Sequence, residues 1–455
     1  DIGRATKIGG NFMTQQYDYD VLYLGSGHGT FDGAVPLAQS GVKVGIIEKD
    51  LIGGTCPNYG CNAKITLDAP VTLLRESERF SGVVAGNLKI NWKESVAHKQ
   101  EVIDELPGMI GGLIKSSGID IIQGSGVFQD NHTILVDGQP KTADKIVIST
   151  GLRPHRLDIP GSELAHDSRE FMDLTELPDK IVIIGSGYIS MEFVTIANAA
   201  GSDVTVLMHG DKALKEFYQP YVNKVIDDLK ERGVKFVKNT KVSSFEKSGD
   251  QVIVNYGDDQ SLSVGWVLDA TGRIPNTDNL GLSEIGVNYN EKGVIVNEYL
   301  QTNVDNIYAS GDVIDKTQPK LTPTAIFEST YLFKRFSGQS REPITYPVIP
   351  SVVFTSPRIA KVGVAVEEAK ENNYQIEENN LVGDWYRKVN KETISENTLI
   401  FDDEHRLLGA TEVSEQAENV INTLLPAVEF KFNKEEIARL IHLFPSISAS
   451  TWDLL

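Results

Sequence analysis

The segment YDYDVLYLGSGHGT, residues 17–30, leads an apolar stretch directly into a glycine-rich turn. The same pattern returns as KIVIIGSGYISME at residues 180–192. Each copy continues with a stretch of helix length and a second apolar segment, which reads VKVGIIEKD at 42–50 and DVTVLMHGD at 203–211. Short apolar runs that alternate with helix-length stretches and are bounded by glycine predict two βαβ units.

Each glycine-rich turn stands between a predicted strand and a predicted helix. Glycine lets the backbone approach a pyrophosphate closely, and the helix N-terminus supplies free N–H groups and a partial positive charge for it. One such turn is a weak signal, but two copies in the same context indicate two dinucleotide sites. In both copies the third glycine of the pattern is replaced, by Thr30 and by Ser190. The glycines expected at the two sites are Gly25, Gly27, Gly185 and Gly187.

The residues after the second strand of each unit distinguish the two ligands. Glu48 lies 23 residues after Gly25, where a carboxylate accepts hydrogen bonds from a ribose 2′-hydroxyl, and this favours FAD. The second unit has no acid there and carries a basic cluster instead, His209, Lys212 and Lys215. A basic cluster favours a 2′-phosphate, so we predict NADPH, with NADH as the alternative if these side chains are solvated surface.

The composition is that of a globular protein of about three domains. The chain has 455 residues, 40% of them hydrophobic, and no apolar run approaches the roughly 20 residues that a membrane helix needs. With 63 acidic and 43 basic residues the net charge is −20, which argues against nucleic acid or an anionic membrane as partner. We therefore expect a cytoplasmic protein. Residues 1–12, DIGRATKIGGNF, show no clear periodicity and are interpreted as a remnant of cloning.

The only two cysteines, Cys56 and Cys61, lie in GGTCPNYGCNAKI, residues 53–65. Two cysteines are too few for the disulfide framework of a secreted protein. On a regular helix, residues five apart are rotated by about 140° and separated by a rise of about 7.5 Å, which is too far for a relaxed disulfide. Pro57 and Gly60 permit an irregular helix start. We therefore expect the segment to bend and the pair to form a reducible bridge that serves a redox cycle.

Further strand-turn segments follow the two units. They are KIVISTGLRP around Gly151, WVLDATGRIP around Gly272, and NIYASGDV, which places Asp312 after a short strand and is followed by LTPTA at 321–325. From about residue 346 the chain continues with strands and helices but without a glycine fingerprint. This change indicates a third domain.

In order, these motifs match those of the pyridine nucleotide-disulfide oxidoreductases, the family of glutathione reductase, dihydrolipoamide dehydrogenase and mercuric reductase. The matching segments are GGTCPNYGC, the two dinucleotide motifs, STG, ATGRIPN, YASGDV and LTPTA. The chain resembles this family from about residue 17 to 450, and the cysteine motif is the most specific part. The resemblance implies an α/β fold with two Rossmann-like dinucleotide-binding domains, a C-terminal α+β dimerisation domain, and a homodimer. It also implies electron flow from nicotinamide through flavin to the cysteine pair.

The resemblance divides the chain into three domains. We place the FAD-binding domain at residues 13–155 and 275–345, the NAD(P)-binding domain at 156–274, and the dimerisation domain at 346–455. Within them, the residues of the matching motifs are expected to contact the cofactors. Besides those named above, they are Gly54, Thr55, Thr150, Gly151, Gly272, Asp312 and Ala325.

By resemblance, Cys61 is the sulfur nearer the flavin and forms the charge-transfer thiolate, while Cys56 is the interchange thiol that attacks the substrate. A helix dipole and a nearby cation favour such thiolates. Lys64 and Glu192 match a lysine–glutamate pair beside the flavin, although the usual proline is absent and the lysine comes one position early. Tyr188 resembles the aromatic lid that covers the flavin until nicotinamide arrives, with ordinary core packing as the alternative.

The C-terminal motif departs from the family, which has a histidine directly before a proline and a glutamate five residues after the histidine, forming an acid–base dyad across the dimer interface. In IHLFPSISAS, residues 441–450, these positions hold Phe444 and Ala449. Loss of the dyad would cost roughly 10²- to 10⁴-fold in rate. His442 is either a substitute base or a structural residue. The chain ends at Leu455 without another cysteine, so we do not predict the C-terminal thiol pair of mercuric reductase or of the larger thioredoxin reductases.

Three hypotheses follow for the function. The leading one is a homodimeric FAD enzyme that uses NAD(P)H to reduce the Cys56–Cys61 disulfide and passes electrons to a small-molecule acceptor that needs little proton help. Such an acceptor is a disulfide with an acidic leaving thiol or a metal ion. The second is direct transfer from reduced flavin to a quinone, dye or dioxygen, which an apolar Phe444 suits. The third is a redox sensor that binds FAD and nucleotide and signals through a partner.

Overall fold

The computed structural model describes residues 17–455. The segment interpreted as a remnant of cloning, residues 1–12, therefore lies outside the described residues. Strands and helices alternate through the first part of the chain, and an antiparallel sheet with helices follows.

The strands pair into two sheets built on parallel strands, a five-stranded antiparallel sheet and smaller ribbons, and the first of the two parallel sheets also has an antiparallel extension. Their bounds are β1 (Tyr19–Leu24), β2 (Val44–Glu48), β3 (Asp120–Gln123), β4 (Gly126–Asp130), β5 (Thr133–Val136), β6 (Gln139–Ile148), β7 (Leu152–Pro154), β8 (Lys180–Ile184), β9 (Asp203–Leu207), β10 (Lys235–Val237), β11 (Val242–Ser248), β12 (Gln251–Tyr256), β13 (Gln260–Val264), β14 (Trp266–Asp269), β15 (Arg273–Pro275), β16 (Tyr289–Asn290), β17 (Gly293–Val294), β18 (Ile307–Ala309), β19 (Ser351–Val353), β20 (Arg358–Gly363), β21 (Gln375–Asn380), β22 (Glu396–Phe401) and β23 (Leu407–Ser414).

The helices lie between these strands and at the C-terminal end. They are α1 (Phe31–Gln39), α2 (Thr55–Tyr59), α3 (Cys61–Arg79), α4 (Trp92–Ile103), α5 (Leu106–Ser116), α6 (Ser168–Met172), α7 (Tyr188–Ala199), α8 (Gln219–Glu231), α9 (Thr322–Phe336), α10 (Val366–Glu371), α11 (Trp385–Val389), α12 (Ala417–Phe430), α13 (Lys434–Arg439) and α14 (Ile447–Trp452).

The first parallel sheet gathers turns from distant parts of the chain at one edge. Its order is β3-β2-β1-β6-β5-β4, and β18 also pairs with β6. The strands β3, β2, β1, β6 and β18 run parallel, and residues 21–24 of β1 are buried, as a continuous apolar run requires. The carboxyl ends of parallel strands meet at the same edge, so the turns after β1, β6 and β18 lie side by side.

A second parallel sheet of order β10-β9-β8-β14 repeats this scheme. Its strand β8 corresponds to β1, because it also leads through a glycine turn into a helix, α7. The antiparallel ribbon β11-β12-β13 leads back to β14, which pairs with β8. The turn after β14 therefore lies beside the second glycine turn.

The third domain is an antiparallel sheet of order β19-β20-β23-β22-β21. Helix α12 covers it and buries Val420, Ile421 and Leu424 against the sheet. Its strands pair without the parallel crossovers of the other two sheets, as in an α+β domain. The fold class predicted from the sequence, two Rossmann-like domains with a C-terminal α+β domain, is confirmed. The residue limits of the three domains stay a prediction.

Helices α1 and α9 meet at Gly33. A Cβ atom at Gly33 would lie 2.0 Å from the carbonyl oxygen of Ser329 on α9, so the helices approach more closely than a side chain allows. This contact fixes α9, whose first turn lies beside the cysteines.

We expect Gly33→Ala to destabilise the protein by about 2 kcal/mol, because overpacking a core forces the backbone to shift. Gly112→Ala is the matched control, since Gly112 also lies inside a helix but a Cβ there meets no atom within 4 Å. The control should be neutral or stabilising by about 0.5–1 kcal/mol. Denaturant unfolding of both variants followed by circular dichroism measures the difference, and equal stability of the two would contradict this account of the α1–α9 contact.

Candidate active site

The first glycine turn is a bare backbone surface. Gly25 has a φ of 99°, and a Cβ there would lie 2.4 Å from the carbonyl oxygen of Ser149. A Cβ at Gly54 would lie 2.9 Å from the Cα of Gly27, so the segment before Cys56 packs directly on the turn. A Cβ atom is thus excluded at Gly25 and at Gly54, which leaves backbone exposed beside the N-terminus of α1, where a pyrophosphate finds free N–H groups. The turn fits a dinucleotide.

Two buried hydroxyl groups account for the replaced third glycines. The Thr30 hydroxyl donates to the carbonyl oxygen of Gly25 at 2.8 Å, and the Ser190 hydroxyl donates to that of Gly185 at 2.7 Å. Each hydroxyl is satisfied within its own turn and ties the helix start to the strand end. The second turn has the same close packing, since a Cβ at Gly185 would lie 2.2 Å from the carbonyl oxygen of Ala270. Both turns therefore keep the geometry that the third glycine usually provides.

Glu48 lies at the end of β2 and is held by its neighbours. Its Oε2 accepts hydrogen bonds from the N–H of Ser26 at 2.9 Å and from the hydroxyl of Ser26 at 2.7 Å. Its Oε1 accepts one from the N–H of Asp50 at 2.8 Å. A carboxylate oxygen has two lone pairs, so one on Oε1 is left for a ribose hydroxyl.

The turn after β18 brings Asp312 to the same edge and is held by a buried ion pair. The Gly311 N–H donates to Oε2 of Glu328 at 2.7 Å. Lys316 Nζ donates to the Gly311 carbonyl oxygen at 3.1 Å and to Oε1 of Glu328 at 2.7 Å. Because both backbone groups of Gly311 are bound, the orientation of the adjacent Asp312 is fixed. This pair was not predicted from the sequence.

Most residues expected to contact FAD gather at this edge of the first sheet. Asn276 contributes as well, because its side-chain amide donates to the Thr150 carbonyl oxygen at 2.8 Å and its N–H to that of Gly151 at 2.9 Å. Gly272 instead follows β14 at the corresponding edge of the second sheet. The residues around the first edge are Gly25, Gly27, Glu48, Gly54, Thr55, Thr150, Gly151, Asp312 and Ala325.

Gly60 separates two helices and brings the cysteines together. Helix α2 ends at Tyr59 and α3 begins at Cys61, which confirms the predicted bend. The Cys56 thiol donates a hydrogen bond to Oδ1 of Asn62 at 3.7 Å. The two thiols lie beside each other without a disulfide, with Cys56 half-buried and Cys61 exposed. This proximity is the arrangement that a redox-active pair requires.

The two sulfur atoms differ strongly in acidity. The neighbouring Cys56 thiol lowers the pKa of Cys61 to about 5, and the Thr322 hydroxyl and the charges of Lys64 and His28 act in the same direction. The proximity of Cys61 and burial raise the pKa of Cys56. At neutral pH the pair therefore consists of a Cys61 thiolate and a Cys56 thiol.

Two polar residues beside Cys61 were missed by the sequence analysis. Thr322, the first residue of α9, has its Oγ1 3.6 Å from Cys61 Sγ. His28, inside the glycine turn, pairs through Nδ1 with Asp32 at 2.7 Å. The available signals were a threonine at a predicted helix start in LTPTA and a histidine within a glycine fingerprint.

Lys64 is the point at which three parts of the chain meet. Its Nζ lies 3.2 Å from Oε1 of Glu192 on α7 and 3.6 Å from the ring centroid of Phe354. The Phe354 N–H donates to the same Glu192 oxygen at 3.0 Å. Burial raises the pKa of Glu192, and Lys64 and this N–H oppose that shift. The lysine–glutamate pair implied by the resemblance is thus present.

Tyr188 begins α7, one turn before Glu192. Its ring is half-buried and packs edge-on against Phe217, with centroids 5.5 Å apart, and burial raises the pKa of its phenol. Packing against Phe217 accounts for part of the ring surface. The role of Tyr188 as a lid stays a prediction.

The basic cluster expected to bind a 2′-phosphate follows β9 and is exposed to solvent. Its loop is tied to the second glycine turn, because the Leu214 N–H donates to the Ser186 carbonyl oxygen at 2.8 Å. Lys215 Nζ lies 3.8 Å from the position of a Cβ on Gly210. Lys215 therefore folds back over the segment that follows His209.

The C-terminal motif presents an aromatic surface where the family has its dyad. Phe444 is 70% exposed, and its ring centroid lies 5.3 Å from that of Trp385. His442 packs on Trp452 at 4.6 Å, and its Nδ1 is buried without a hydrogen-bond partner in residues 17–455. This environment favours the structural interpretation of His442 over a base presented to substrate.

Two glycine cradles on parallel sheets, with a thiol–thiolate pair packed on the first, define a flavin-dependent disulfide oxidoreductase. Bound at the first sheet, FAD would supply a two-electron carrier between a nicotinamide and the sulfur pair. The cradle, the lone pair left on Glu48 and the fixed Asp312 all fit this cofactor.

Comparison with known families agrees. Residues 19–329 match the model of the pyridine nucleotide-disulphide oxidoreductases, and residues 349–454 match the dimerisation domain of the same family. The chain belongs to the pyridine nucleotide-disulphide oxidoreductases, an oxidoreductase family that binds FAD and NAD(P)H.

Individual relatives carry different substrates in their names. The chain is 31% identical to a dihydrolipoyl dehydrogenase of Staphylococcus aureus, with 95% of each chain covered. It is 32% identical to a mercuric reductase of the same species, over 92% of this chain and 79% of the relative. Among solved structures, the HOCl-induced flavoprotein disulfide reductase RclA from Escherichia coli aligns with a TM-score of 0.87 and 26% identity, covering 96% of this chain and 99% of that one. Similar identities to differently named enzymes leave the substrate open.

Two further features bear on partners. No helix within residues 17–455 combines the length and apolar character needed to cross a membrane. In the same residues, no group of three or more His, Cys, Asp or Glu side chains is arranged to hold a metal ion.

We expect Thr322→Val to raise the pKa of Cys61, because the variant removes a hydroxyl that stabilises the thiolate. A loss of about 1 kcal/mol corresponds to about threefold less thiolate at a pH equal to the pKa of Cys61. The measurement is the rate of Cys61 alkylation by iodoacetamide in the reduced protein, near pH 5.

Thr324→Val is the matched control on the same helix. The Thr324 hydroxyl is buried and has no hydrogen-bond partner in residues 17–455, so its removal should leave the alkylation rate unchanged. An equal fall in both variants would refute a specific role for the Thr322 hydroxyl.

Proposed function

We propose that this protein reduces a small disulfide with electrons from NAD(P)H, using Cys56 and Cys61 as the dithiol. The observation that carries the proposal is the adjacent pair of free cysteines, one of them acidic, on a segment packed against the first dinucleotide cradle. In each turnover Cys56 attacks one sulfur of the acceptor, a mixed disulfide forms, and the first thiol leaves. Cys61 then attacks the Cys56 sulfur, which releases the second thiol and closes the enzyme disulfide. Two electrons pass to the acceptor, and two electrons from NAD(P)H, which FAD bound at the first sheet would carry, would restore the dithiol.

The proton that Cys56 must lose can go to its neighbour. Cys61 is a thiolate beside Cys56, so it can accept this proton as Cys56 attacks. Cys61 has to pass this proton to the first departing thiol or to solvent before it attacks the Cys56 sulfur. The second departing thiol then finds no proton donor, because Phe444 and Ala449 cannot donate a proton. We therefore propose an acceptor whose leaving thiol is acidic and departs as a thiolate. A metal ion, which needs no proton, is the other acceptor that this chemistry permits.

The proposal also covers the oligomeric state and the cellular location of the protein. The family's dimerisation domain and the exposed apolar residues Leu443 and Phe444 support a homodimer. A cytoplasmic location stays a prediction.

Cysteine variants test the disulfide route. Cys56→Ser and Cys61→Ser should each abolish NADPH-dependent reduction of disulfides, because neither half of the exchange can be completed. The measurement is steady-state turnover with disulfides that differ in the acidity of their thiols, and rates should rise with that acidity. Intact disulfide turnover in Cys56→Ser would falsify the proposal.

Direct reduction of a quinone is the second candidate, favoured by the exposed aromatic pair of Phe444 and Trp385. On this account the double cysteine variant keeps full activity with menadione, and Phe444→His lowers it. On the disulfide account, menadione is at most a side reaction that Phe444 does not affect.

We also propose NADPH as the preferred coenzyme, supported by the position of Lys215 beside the loop after β9. Lys215→Met should raise the KM for NADPH about tenfold, through loss of a charge-assisted contact with the 2′-phosphate, and leave the KM for NADH unchanged. Lys235→Met is the control, because Lys235 pairs with Asp203 on the surface of the same sheet. Equal effects on both coenzymes would contradict a 2′-phosphate contact.

A further inference from the structure

Arg358 connects the third domain with the redox site. It lies at the start of β20, and its Nη2 is 3.0 Å from Oδ2 of Asp68 on α3. Its Nε is 2.9 Å from Oε1 of Glu418 on α12. The guanidinium carbon also lies 4.9 Å from the ring centroid of Phe354, the ring that Lys64 Nζ approaches to 3.6 Å. Arg358 therefore contacts both Asp68 on α3 and the aromatic ring against which Lys64 lies.

Asp68 is a buried anion placed where it competes for Lys64. The two residues are four positions apart on α3, and residues at that spacing share one face of a helix. The Asp68 side chain is 1% exposed, and its Oδ1 has no hydrogen-bond partner in residues 17–455. Burial raises the pKa of Asp68, and the charges of Arg358 and Lys64 oppose that shift. Such a carboxylate needs a cation, which Arg358 provides.

We propose that Arg358 is a positioning residue for Lys64. Because Arg358 pairs with Asp68, Asp68 does not compete with Glu192 for the Lys64 ammonium. The Lys64 ammonium then stays on Glu192 and near Cys61, which lies one turn earlier on α3. The inference rests on the proposed function, because it assumes that the lysine–glutamate pair stabilises the cysteine pair that reduces the acceptor.

Loss of the Arg358 charge should move the Lys64 ammonium from Glu192 to Asp68. In Arg358→Met, Asp68 remains buried without its cation, and Lys64 on the same helix face is drawn toward it. The ammonium then leaves Glu192 and moves one turn further from Cys61. The groups that act on the Cys61 sulfur are Cys56 on α2, Lys64 on α3, His28 before α1, Arg273 on β15 and Thr322 on α9. Only Lys64 is expected to move among them.

The test measures the Cys61 thiolate directly in the reduced FAD-loaded protein. Iodoacetamide alkylation of Cys61, assigned by mass spectrometry, is followed as a function of pH. Near pH 5 we expect about fivefold slower alkylation in Arg358→Met, because withdrawal of one nearby cation disfavours the thiolate. Since alkylation needs no acceptor, the result is independent of the proposed function, which the cysteine variants test by turnover.

The double variant Arg358→Met with Asp68→Asn separates positioning from a general structural effect. Asp68→Asn removes the competing charge, so the double variant should regain the alkylation profile of the unmodified protein. Unchanged alkylation in Arg358→Met, or equal slowing in the single and double variants, would overturn the proposal.

Two more variants complete the design. Arg406→Met removes a surface ion pair with Asp402 in the same domain and should change nothing. If Arg358→Met does not fold, Arg358→Lys replaces it, because a lysine keeps the charge but cannot make the same forked contacts. Its slowing should be smaller and should again disappear with Asp68→Asn, and a slowing that persists in that double variant would count against the proposal.

Discussion

The buried ion pair between Lys64 and Glu192 is the contact on which the geometry of the site depends. Lys64 belongs to the helix that begins at Cys61, and Glu192 to the helix behind the second glycine turn. The pair therefore links the helix that carries Cys61 to the helix of the second dinucleotide unit. The N–H of Phe354, which precedes the strands of the antiparallel sheet other than β19, donates to the same Glu192 oxygen. Removing one partner of a buried pair costs about 3–5 kcal/mol, so this junction is both structural and electrostatic.

The acidity of Cys61 follows from its surroundings. Cys61 is a thiolate because the Cys56 thiol, a hydroxyl group and two nearby basic side chains stabilise its charge. Such a pair contains its own base, which makes the first half of a thiol–disulfide exchange possible without a histidine. The second half, departure of the product thiol, is where the aromatic Phe444 offers no proton. The structure thus relates a missing dyad to a restricted class of acceptors.

Two further buried ion pairs hold groups near the site in place. Lys316 and Glu328 hold both backbone groups of Gly311, which sets the orientation of Asp312. The Arg358–Asp68 pair lies behind Lys64 in the same way. A buried ion pair is weak evidence for stability, but it allows only a few arrangements of its partners, and that property suits a site in which positions matter.

The sequence by itself determined the two βαβ units, the acid at Glu48, the cysteine pair and its bend, because each depends on neighbours within a few tens of residues. Strand period, close backbone approach and helix geometry are local, and they leave a pattern that can be read along the chain. Tertiary structure decided which distant side chains surround that pair. Thr322 meets Cys61 across 261 residues and Arg358 meets Asp68 across 290, and no local pattern marks such contacts. They arise only because the parallel sheet and the third domain close on the same helix.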